Sequence, residues 1–368
     1  MQDDRCIVYY HGNDWDGVRA RQRYLMEALS RHIPVVYLDK NWDSDKKVKP
    51  FAGSENVTVV RGVGRWIMHF ASRKLDFLCA PFCWWHLRWI RAKYRKIIFI
   101  CAENAVRPYR YISHDHLIFD CIDPCFNREP EALAAYEQRE HTILKDAGLV
   151  FASADTLRDA CKRHNANVTL INNACAPEDY SADLLEAATI PAWWPTRPGK
   201  VAAYLGSLDW RFDTEVLLRS IQDHPEVNFI LAGKVLKVVA DKIDALEALP
   251  NVTVPGLISV EDGRYLLSKC DIGLIPFTPG EMNDAINPVK MYAYAYLGKA
   301  MAGTAVHELT TRPDVVSTGS TPADFSAAVA KALQRSDDPA HGEMLKEFAR
   351  ENTWDNRGEQ AWEQISRL

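Results

Sequence analysis

Short runs of apolar and β-branched residues recur along this 368-residue chain, and each is followed by a polar or glycine-containing turn and a helical pattern. Strands that alternate with helices in this way are typical of βαβ units, whose strands are parallel and buried. The series occurs twice, so the sequence predicts an α/β protein with two doubly wound domains. The predicted strands are 6–10, 35–38, 57–60, 97–101, 117–121, 149–152 and 168–171 in the first half, and 200–205, 227–232, 252–254, 272–276, 300–302 and 315–317 in the second.

A proline-rich segment, residues 187–199, separates the two series. Its prolines interrupt any helix and stiffen a connector. The end of the chain has a helical pattern in which Trp354, Trp362 and Ile365 are spaced for a buried stripe. We therefore predict four parts: an N-terminal domain over 1–186, a linker over 187–199, a C-terminal domain over 200–345 and a final helix over 346–368.

Composition and charge narrow the class of protein. The chain is 47% hydrophobic and 25% charged with a formal net charge of −5, which is typical of a globular protein and not of a disordered one. A dedicated nucleic-acid binder usually carries a basic excess over one domain face, so we expect no nucleic-acid partner. Residues 1–5 contain no apolar signal core, and no run approaches the roughly 18 apolar residues of a membrane-spanning helix. These features predict a cytoplasmic location.

The nine cysteines are odd in number and include no Cys-x-x-Cys pair, which predicts reduced thiols. The closest spacings, Cys79/Cys83 and Cys121/Cys125, lack the second ligand pair of a metal site and are typical of small buried hydrophobes. We expect no metal.

Residues 65–96 differ from the rest of the chain in charge, with eight Lys or Arg against one acid, mixed with eight aromatic residues. Tryptophans beside cations are typical of a helix at a membrane surface, where indoles reach the headgroups and cations meet anionic lipid. The alternative is an aromatic stripe in the core with a solvated charged face. The membrane-surface interpretation predicts a peripheral protein on the inner face of the cytoplasmic membrane, with its contacts at Trp84, Trp85, Arg88, Trp89 and Arg91.

Ligands of open α/β sheets bind beyond the carboxyl ends of the strands, so the loops there hold the candidate site residues. In the first domain these loops are polar and acidic, which suits a neutral acceptor rich in hydroxyls. A carboxylate there could take a proton from an attacking hydroxyl, although such carboxylates also cap helices. Asp123 and Asp16 are the candidate catalytic residues, and the candidate acceptor-binding residues are His11, Gly12 and Glu103.

The corresponding loops of the second domain carry glycine and positive charge. Gly206 allows a ligand to approach the backbone, and Arg211 and Lys234 offer cations. Farther along, Asn287-Pro288 predicts a helix start, with Asn287 as the N-cap and Lys290 in the first turn. The free amides and partial charge of about +0.5 at such a terminus favour an anion. This is a candidate diphosphate site, and the alternative is a capped surface helix with a solvated lysine.

The same segment resembles a bacterial glycosyltransferase signature. Asn287-Pro288-Val289-Lys290-Met291-Tyr292-Ala293-Tyr294, followed by Gly298-Lys299, is similar to the Asn-Pro-x-Lys-x-Tyr-Glu-Tyr…Gly-Lys-Pro block of a group related to retaining family 4. That group includes exopolysaccharide and teichuronic acid enzymes. Residues 206–209, 119–123 and 15–22 match it as well. The resemblance implies the GT-B fold, in which two doubly wound Rossmann-like domains face each other across a cleft and the last helix packs on the first domain.

The resemblance also implies an activity. The chain would be a metal-independent hexosyltransferase that needs no cofactor. It would move a sugar from a nucleotide diphosphate, UDP rather than GDP, to a hydroxyl of a glycan in cell-surface polysaccharide biosynthesis. The basic, tryptophan-containing segment over 65–96 is the reason to expect that this glycan is lipid-linked. Asn287 and Lys290 would contact the donor diphosphate, Gly206 would leave room for it, and Arg211 would add a second charge. An inverting enzyme needs a base, with Asp123 ahead of Asp16, whereas a retaining enzyme can let the departing diphosphate assist the hydroxyl.

Two positions depart from the group. Ala293 stands where the group has a glutamate expected to hold the donor ribose, and Ala300 where it has proline. Losing a hydrogen bond to a charged acceptor typically costs about 1.5–3 kcal/mol. A deliberate substitution, another donor anchor and a loss of catalysis all fit. The alternative function is therefore a non-catalytic nucleotide- or glycan-binding partner in a polysaccharide assembly complex.

The sequence lacks the motifs that two other enzyme classes require. The nearest approach to the dinucleotide-binding Gly-x-Gly-x-x-Gly, at 62–67, ends in Ile67 instead of a small residue, which disfavours a dehydrogenase. The Gly-x-Ser-x-Gly elbow of serine hydrolases is also missing from the sequence.

Overall fold

A computed structural model describes residues 4–10, 15–17, 19–39, 56–61, 79–102, 108–124 and 130–368, without the side chains of residues 86, 108 and 130–132. The chain divides into two compact units. Unit 1 comprises Met1–Asn172 with Trp354–Leu368, and unit 2 comprises Asn173–Thr353. All thirteen predicted strands are present, each within two residues of its predicted ends.

Unit 1 is built on a seven-stranded parallel sheet in the order β3-β2-β1-β4-β5-β6-β7. The central strands are buried along nearly their whole length, as a sheet covered on both faces requires. Its strands are β1 Arg5–Tyr10, β2 Val35–Leu38, β3 Val57–Val60, β4 Lys96–Cys101, β5 His116–Cys121, β6 Leu149–Ala152 and β7 Val168–Leu170. Its described helices are α1 Arg21–Leu29, α2 Cys79–Lys93, α3 Pro130–Asp146 and α4 Asp155–Lys162, with a short 3-10 turn at Pro108–Arg110.

Unit 2 is built on a six-stranded parallel sheet in the order β10-β9-β8-β11-β12-β13. Its strands are β8 Val201–Leu205, β9 Asn228–Ala232, β10 Val252–Gly256, β11 Ile272–Ile275, β12 Ala300–Thr304 and β13 Val316–Gly319. Its helices are α5 Ala182–Glu186, α6 Thr214–Asp223, α7 Ala240–Glu247, α8 Val260–Lys269, α9 Glu281–Asp284, α10 Val289–Tyr296, α11 His307–Thr310, α12 Pro322–Arg335 and α13 Pro339–Glu351, with a 3-10 turn at Pro177–Tyr180.

The predicted linker over 187–199 is wrong, because the chain passes between the units at Asn172/Asn173. Trp193 and Trp194 pack against an apolar cluster of unit 2, and the Trp194 ring meets Tyr265 edge to face at 5.0 Å. Prolines exclude a helix from this segment, but burial of its two indoles holds it on unit 2.

The predicted boundary at 346 also lies too early. Leu345 and Ala349 of α13 are fully buried in the main core of unit 2. The last helix, α14 Trp354–Ile365, belongs to unit 1, where Trp354 stacks on Tyr24 of α1 with ring centroids 5.6 Å apart. The apolar stripe predicted for the tail therefore packs on unit 1 from Trp354 onward.

The sequence also predicted reduced cysteines, no metal site and no membrane-spanning helix, and the structure bears on each of these features. The eight cysteines in the described part of the chain are buried free thiols. The same part contains no group of three or more His, Cys, Asp or Glu arranged to hold a metal. None of the helices described here has the length and apolar character to cross a bilayer.

Candidate functional site

In each sheet, the strand order reverses at one point, and open α/β sheets bind ligands beyond the carboxyl ends of the strands there. In unit 2 this point lies between β8 and β11. The loops that follow these two strands are bonded to each other: Thr278 N–H donates to the Arg211 carbonyl at 2.7 Å, and Asp213 N–H donates to the Pro276 carbonyl at 2.8 Å. The two loops therefore form one continuous wall at the carboxyl edge.

Gly206 directly follows β8 at this edge in a conformation that glycine favours, with φ +154°. A Cβ at Gly206 would lie 3.0 Å from Lys290 Nζ and 3.2 Å from the Tyr204 hydroxyl, and a Cβ at Gly233 would collide with the Gly206 backbone. The two glycines therefore let three chain segments meet. The sequence predicted room for a ligand at Gly206, and in the structure Lys290 and Tyr204 come close to this position.

Lys290, in the first turn of α10, directs its ammonium into the Gly206 turn. Nζ lies over two aromatic faces, 4.3 Å from the Tyr204 centroid and 4.9 Å from the Phe277 centroid. Among the described residues no carboxylate lies within ion-pair distance of Nζ. Burial, and to a lesser degree the Arg211 charge, lower the Lys290 pKa to about 7, against a smaller opposing effect of Asp209.

Arg211 supplies the second cation of this edge, but it is already held by a carboxylate. Its Nη2 donates to Asp209 Oδ2 at 2.6 Å, and its backbone N–H donates to Asp209 Oδ1 at 2.9 Å. Burial opposes ionisation of Asp209, yet these hydrogen bonds outweigh it and lower the pKa of the carboxyl. About a third of the Arg211 side chain stays exposed. Lys234, at the end of β9, is exposed to solvent.

Asn287 does not have the geometry that the sequence predicted. The helix cap is Pro288, whose side chain makes no capping bond, and α10 begins at Val289. The buried Asn287 amide instead donates to Glu308 at 2.6 Å and accepts from Tyr292 Oη and from the Asn173 backbone N–H, both at 3.0 Å. These contacts use its side chain to hold the start of α10 in place rather than to present it to a phosphate.

Ala293 lies on α10, one turn beyond Lys290, and is partly buried against the unit 2 core. Its methyl group offers no hydrogen-bond acceptor at the position where the resembling group carries a carboxylate. Helix α10 therefore brings Lys290 to the site without an acidic partner one turn later.

The carboxyl edge of unit 1 is described only in part. His11, Gly12 and Glu103 lie outside the described residues. Asp123, two residues beyond β5, is exposed, and its segment is fixed by hydrogen bonds from Ser153 to the Cys121 and Ile122 carbonyls. Asp16 is also exposed, but it forms an ion pair with Arg61 at 2.6 Å, which competes with any role as a base.

The predicted membrane-surface residues lie on α2. Cys79, Cys83, Leu87 and Ile90 face the core, whereas Trp84 and Trp85 are 65% and 61% exposed and Trp89 is 37% exposed. The interpretation of these three tryptophans as core residues is therefore wrong. Arg88 stacks on Trp85 at 4.0 Å, and Arg91 pairs with Asp115 at 2.6 Å.

Sequence reasoning missed several residues that shape the unit 2 site. Tyr204 and Phe277 provide the rings around Lys290. Tyr204 is the last residue but one of β8, and Phe277 lies two residues beyond β11, so both are near the carboxyl ends of strands, where ligands bind. Asp209 precedes Arg211 by two residues, a local spacing that allows the observed ion pair. Glu308 holds Asn287 from 21 residues away, and no local pattern indicates that contact.

Solved structures similar to this chain include glycosyltransferases of GT-B type. Sucrose-phosphate synthase from Thermosynechococcus elongatus is 16% identical, with a TM-score of 0.74 over 100% of this chain and 99% of that one. Anabaena HepE in complex with UDP-glucose is 13% identical, with a TM-score of 0.65 over 99% and 100% of the two chains. WaaG, a glycosyltransferase involved in lipopolysaccharide biosynthesis, is also 13% identical, with a TM-score of 0.63 over 97% and 98%. The two Rossmann-like parallel-sheet domains thus have the GT-B fold.

One curated relative is similar in sequence. TuaH of Bacillus subtilis (strain 168), a candidate teichuronic acid biosynthesis glycosyltransferase, is 25% identical over 259 residues. The matched region spans 66% of this chain and 64% of that protein. No known family model matches the chain.

Proposed function

We propose that this protein is a glycosyltransferase that binds the diphosphate of a nucleotide sugar at the β8/β11 edge of unit 2. The observation that carries the proposal is Lys290 Nζ, which sits against the Gly206 turn between two rings and without a carboxylate contact among the described residues. Lys290 is half-buried and has lost part of its hydration without gaining an anion, which disfavours its charged form, and a diphosphate would supply the missing charge.

The chemistry follows from this charge. When the bond between the anomeric carbon and the diphosphate oxygen breaks, negative charge builds on the leaving group, and Lys290 with the exposed part of Arg211 would stabilise it. The acceptor oxygen forms the new bond to the anomeric carbon and gives up its proton. In an inverting reaction Asp123 would take that proton, with Asp16 second because Arg61 already holds it; in a retaining reaction the departing diphosphate would take it.

The donor and pathway are finer parts of the proposal. A UDP-sugar is favoured over a GDP-sugar, and a hexose is the proposed sugar; Anabaena HepE, which shares the fold, is solved with UDP and with UDP-glucose. Transfer would require neither a metal nor a cofactor. The similarity to TuaH, a candidate teichuronic acid biosynthesis glycosyltransferase, supports a role in polysaccharide biosynthesis. The proposed acceptor is a lipid-linked glycan of the cell surface. The exposed tryptophans of α2 support a peripheral position on the inner face of the cytoplasmic membrane.

The first test is calorimetric titration of UDP, GDP and dTDP into the parent protein and Lys290→Ala. We expect one nucleotide to bind and Lys290→Ala to weaken it by roughly 10- to 100-fold, the cost of a lost charge-assisted hydrogen bond. Lys269→Ala is the matched control, because Lys269 is an exposed lysine of the same unit at the far end of α8. Equal affinities for the parent and Lys290→Ala would refute this diphosphate site.

The non-catalytic alternative rests on Ala293, which offers no acceptor for a ribose hydroxyl. Ala293→Glu in the same titration shows whether a carboxylate there strengthens nucleotide binding. Release of UDP from UDP-glucose in the presence of a glycan acceptor then separates the two functions. A parent protein that binds the nucleotide and never releases UDP would favour the binding partner over the enzyme.

A further inference from the structure

Unit 1 contains a cavity of about 810 Å³ beneath the exposed face of α2. Its walls come from α2, β4 and residues 109–114, and they are mostly apolar, including Leu87, Ile90, Ile97 and Ile112. Trp84 lines the same cavity while remaining 65% exposed to solvent. The cavity therefore continues outward into the aromatic surface, and its size is within the usual range of about 300–1,000 Å³ for ligand pockets.

Three arginines line this cavity, and they differ in whether a carboxylate neutralises their charge. Arg91 pairs with Asp115 at 2.6 Å and donates to Ser113, which ties α2 to the opposite wall. Arg110 lies 3.7 Å from Asp146. Arg88 is exposed, stacks on Trp85 at 4.0 Å, and has no carboxylate within ion-pair distance in the described part of the chain.

An apolar cavity with an arginine and two exposed tryptophans at its rim fits an amphiphilic ligand. An apolar wall removes a hydrocarbon chain from water, and Arg88 at the rim offers a planar, weakly hydrated cation to a phosphate. Trp84 and Trp85 have the exposure expected of indoles at the headgroup level of a bilayer. A free sugar or a nucleotide would leave the apolar wall in contact with water, and a neutral lipid would offer no anion to Arg88.

We propose that the α2 cavity binds one acyl chain of an anionic phospholipid, with the lipid phosphate at Arg88. The inference rests on the membrane-surface part of the proposed function and does not depend on donor chemistry. Surface tryptophans alone would give loose adsorption to a bilayer. A chain in the cavity adds apolar burial and would hold α2 on the membrane in a fixed orientation.

The test uses lysophosphatidylglycerol below its micelle concentration, because a single soluble amphiphile can fill a cavity but cannot form a membrane surface. Calorimetry should show saturable binding of one molecule per chain. Affinity should rise roughly fourfold for each methylene that enters the cavity, measured by comparing the decanoyl and dodecanoyl forms. Lysophosphatidylcholine of the same length should bind roughly fivefold more weakly, since it is not anionic overall.

The variants separate the phosphate contact from general charge. Arg88→Gln should bring phosphatidylglycerol affinity down to that of phosphatidylcholine. Lys93→Gln should leave it unchanged, because Lys93 lies on the same helix outside the cavity lining. Equal affinity for inorganic phosphate and the lysolipid, no dependence on chain length, or no saturable lysolipid binding would each overturn the proposal.

The donor site is tested separately on the same samples. Arg88→Gln should bind UDP as the parent does. Lysolipid binding without UDP binding would support the cavity and count against the donor site, and UDP binding without lysolipid binding would overturn only the cavity.

Discussion

The carboxyl edges of the two sheets handle charge differently. In unit 1, Arg21 and Asp120 are both buried and form an ion pair at 2.7 Å, and Arg61 lies between Asp16 and Asp39. In unit 2, Asp209 is paired with Arg211, but Lys290 remains close to both without a carboxylate contact of its own among the described residues. The charges named at the first edge are paired with one another, whereas Lys290 at the second edge has no carboxylate partner among the described residues.

The difference is also one of stability. A paired and hydrogen-bonded buried charge is costly to disrupt, because breaking it leaves a bare charge inside the protein. A lysine with a lowered pKa has the opposite effect on stability when it is charged, because the folded state disfavours its charged form. Unit 1 thus uses its buried charges to hold its sheet together, while unit 2 carries a cost that a ligand can remove.

The largest expected effect comes from breaking the buried pair of unit 1. Asp120→Asn leaves Arg21 without its anion, so the free energy of unfolding of unit 1 should fall by about 3–5 kcal/mol. Urea unfolding monitored by fluorescence measures the loss. The control is Arg367→Gln, which removes an exposed ion pair with Glu363 and should cost less than about 1 kcal/mol. Similar losses in the two variants would show that the buried Arg21–Asp120 pair stabilises unit 1 no more than an exposed ion pair does.

A second variant tests whether Asn287 holds α10 or contacts phosphate. Asn287→Ala strips partners from Glu308, Tyr292 and the Asn173 backbone, so unfolding free energy should fall by about 2–3 kcal/mol. Tyr292→Phe removes one of these bonds and should cost about 1 kcal/mol in the same denaturation experiment. An Asn287→Ala protein of parental stability that no longer binds UDP would restore the phosphate role predicted from the sequence.

The smallest effect is the pH dependence of nucleotide binding. Because the Lys290 pKa is about 7 in the free protein, the amine is charged below that pH and must take up a proton on binding above it. Affinity for UDP should therefore fall roughly tenfold per pH unit above about 7, until the raised pKa of the bound state is reached. Calorimetry in buffers of different ionisation enthalpy measures the proton uptake directly.

Lys290→Met is the control for this titration, since it lacks the titrating group. Its weaker UDP binding should not vary over the same pH range. If the parent protein binds UDP without any proton uptake at pH 8, Lys290 is not the group that meets the diphosphate.

Much of the fold could be predicted from local pattern. Most strands are short runs of buried apolar residues, so all thirteen strand positions show in the sequence within two residues. Glycine after a strand indicated a close approach at Gly206 as well, but the sequence predicted a ligand there and did not predict the Lys290 and Tyr204 side chains that the structure places against it. The boundary over 187–199 could not be found this way, since it depends on where Trp193 and Trp194 pack, and composition records only that prolines are present.

At the unit 2 site, the sequence indicated where three candidate residues lie but not what they contact. The sequence placed Lys290, Arg211 and Asn287 at one edge, because the carboxyl ends of parallel strands lie together. It could not show that Arg211 is held by Asp209 or that Lys290 has no carboxylate contact in the described structure. It also assigned Asn287 to capping, although Glu308 and Asn173 take up its side chain.

By itself, the sequence determined two parallel sheets, the edge at which each carries its polar loops, and the glycine and lysine that meet in unit 2. These follow from periodicity and strand ends, which are set by neighbours along the chain. Only the tertiary structure decided which charges are neutralised, as with Arg21 and Asp120, which pair across 99 positions, and which helix face stays exposed, as with Trp84 and Trp85. Burial and ion pairing depend on residues distant in sequence, so no local pattern fixes them in advance.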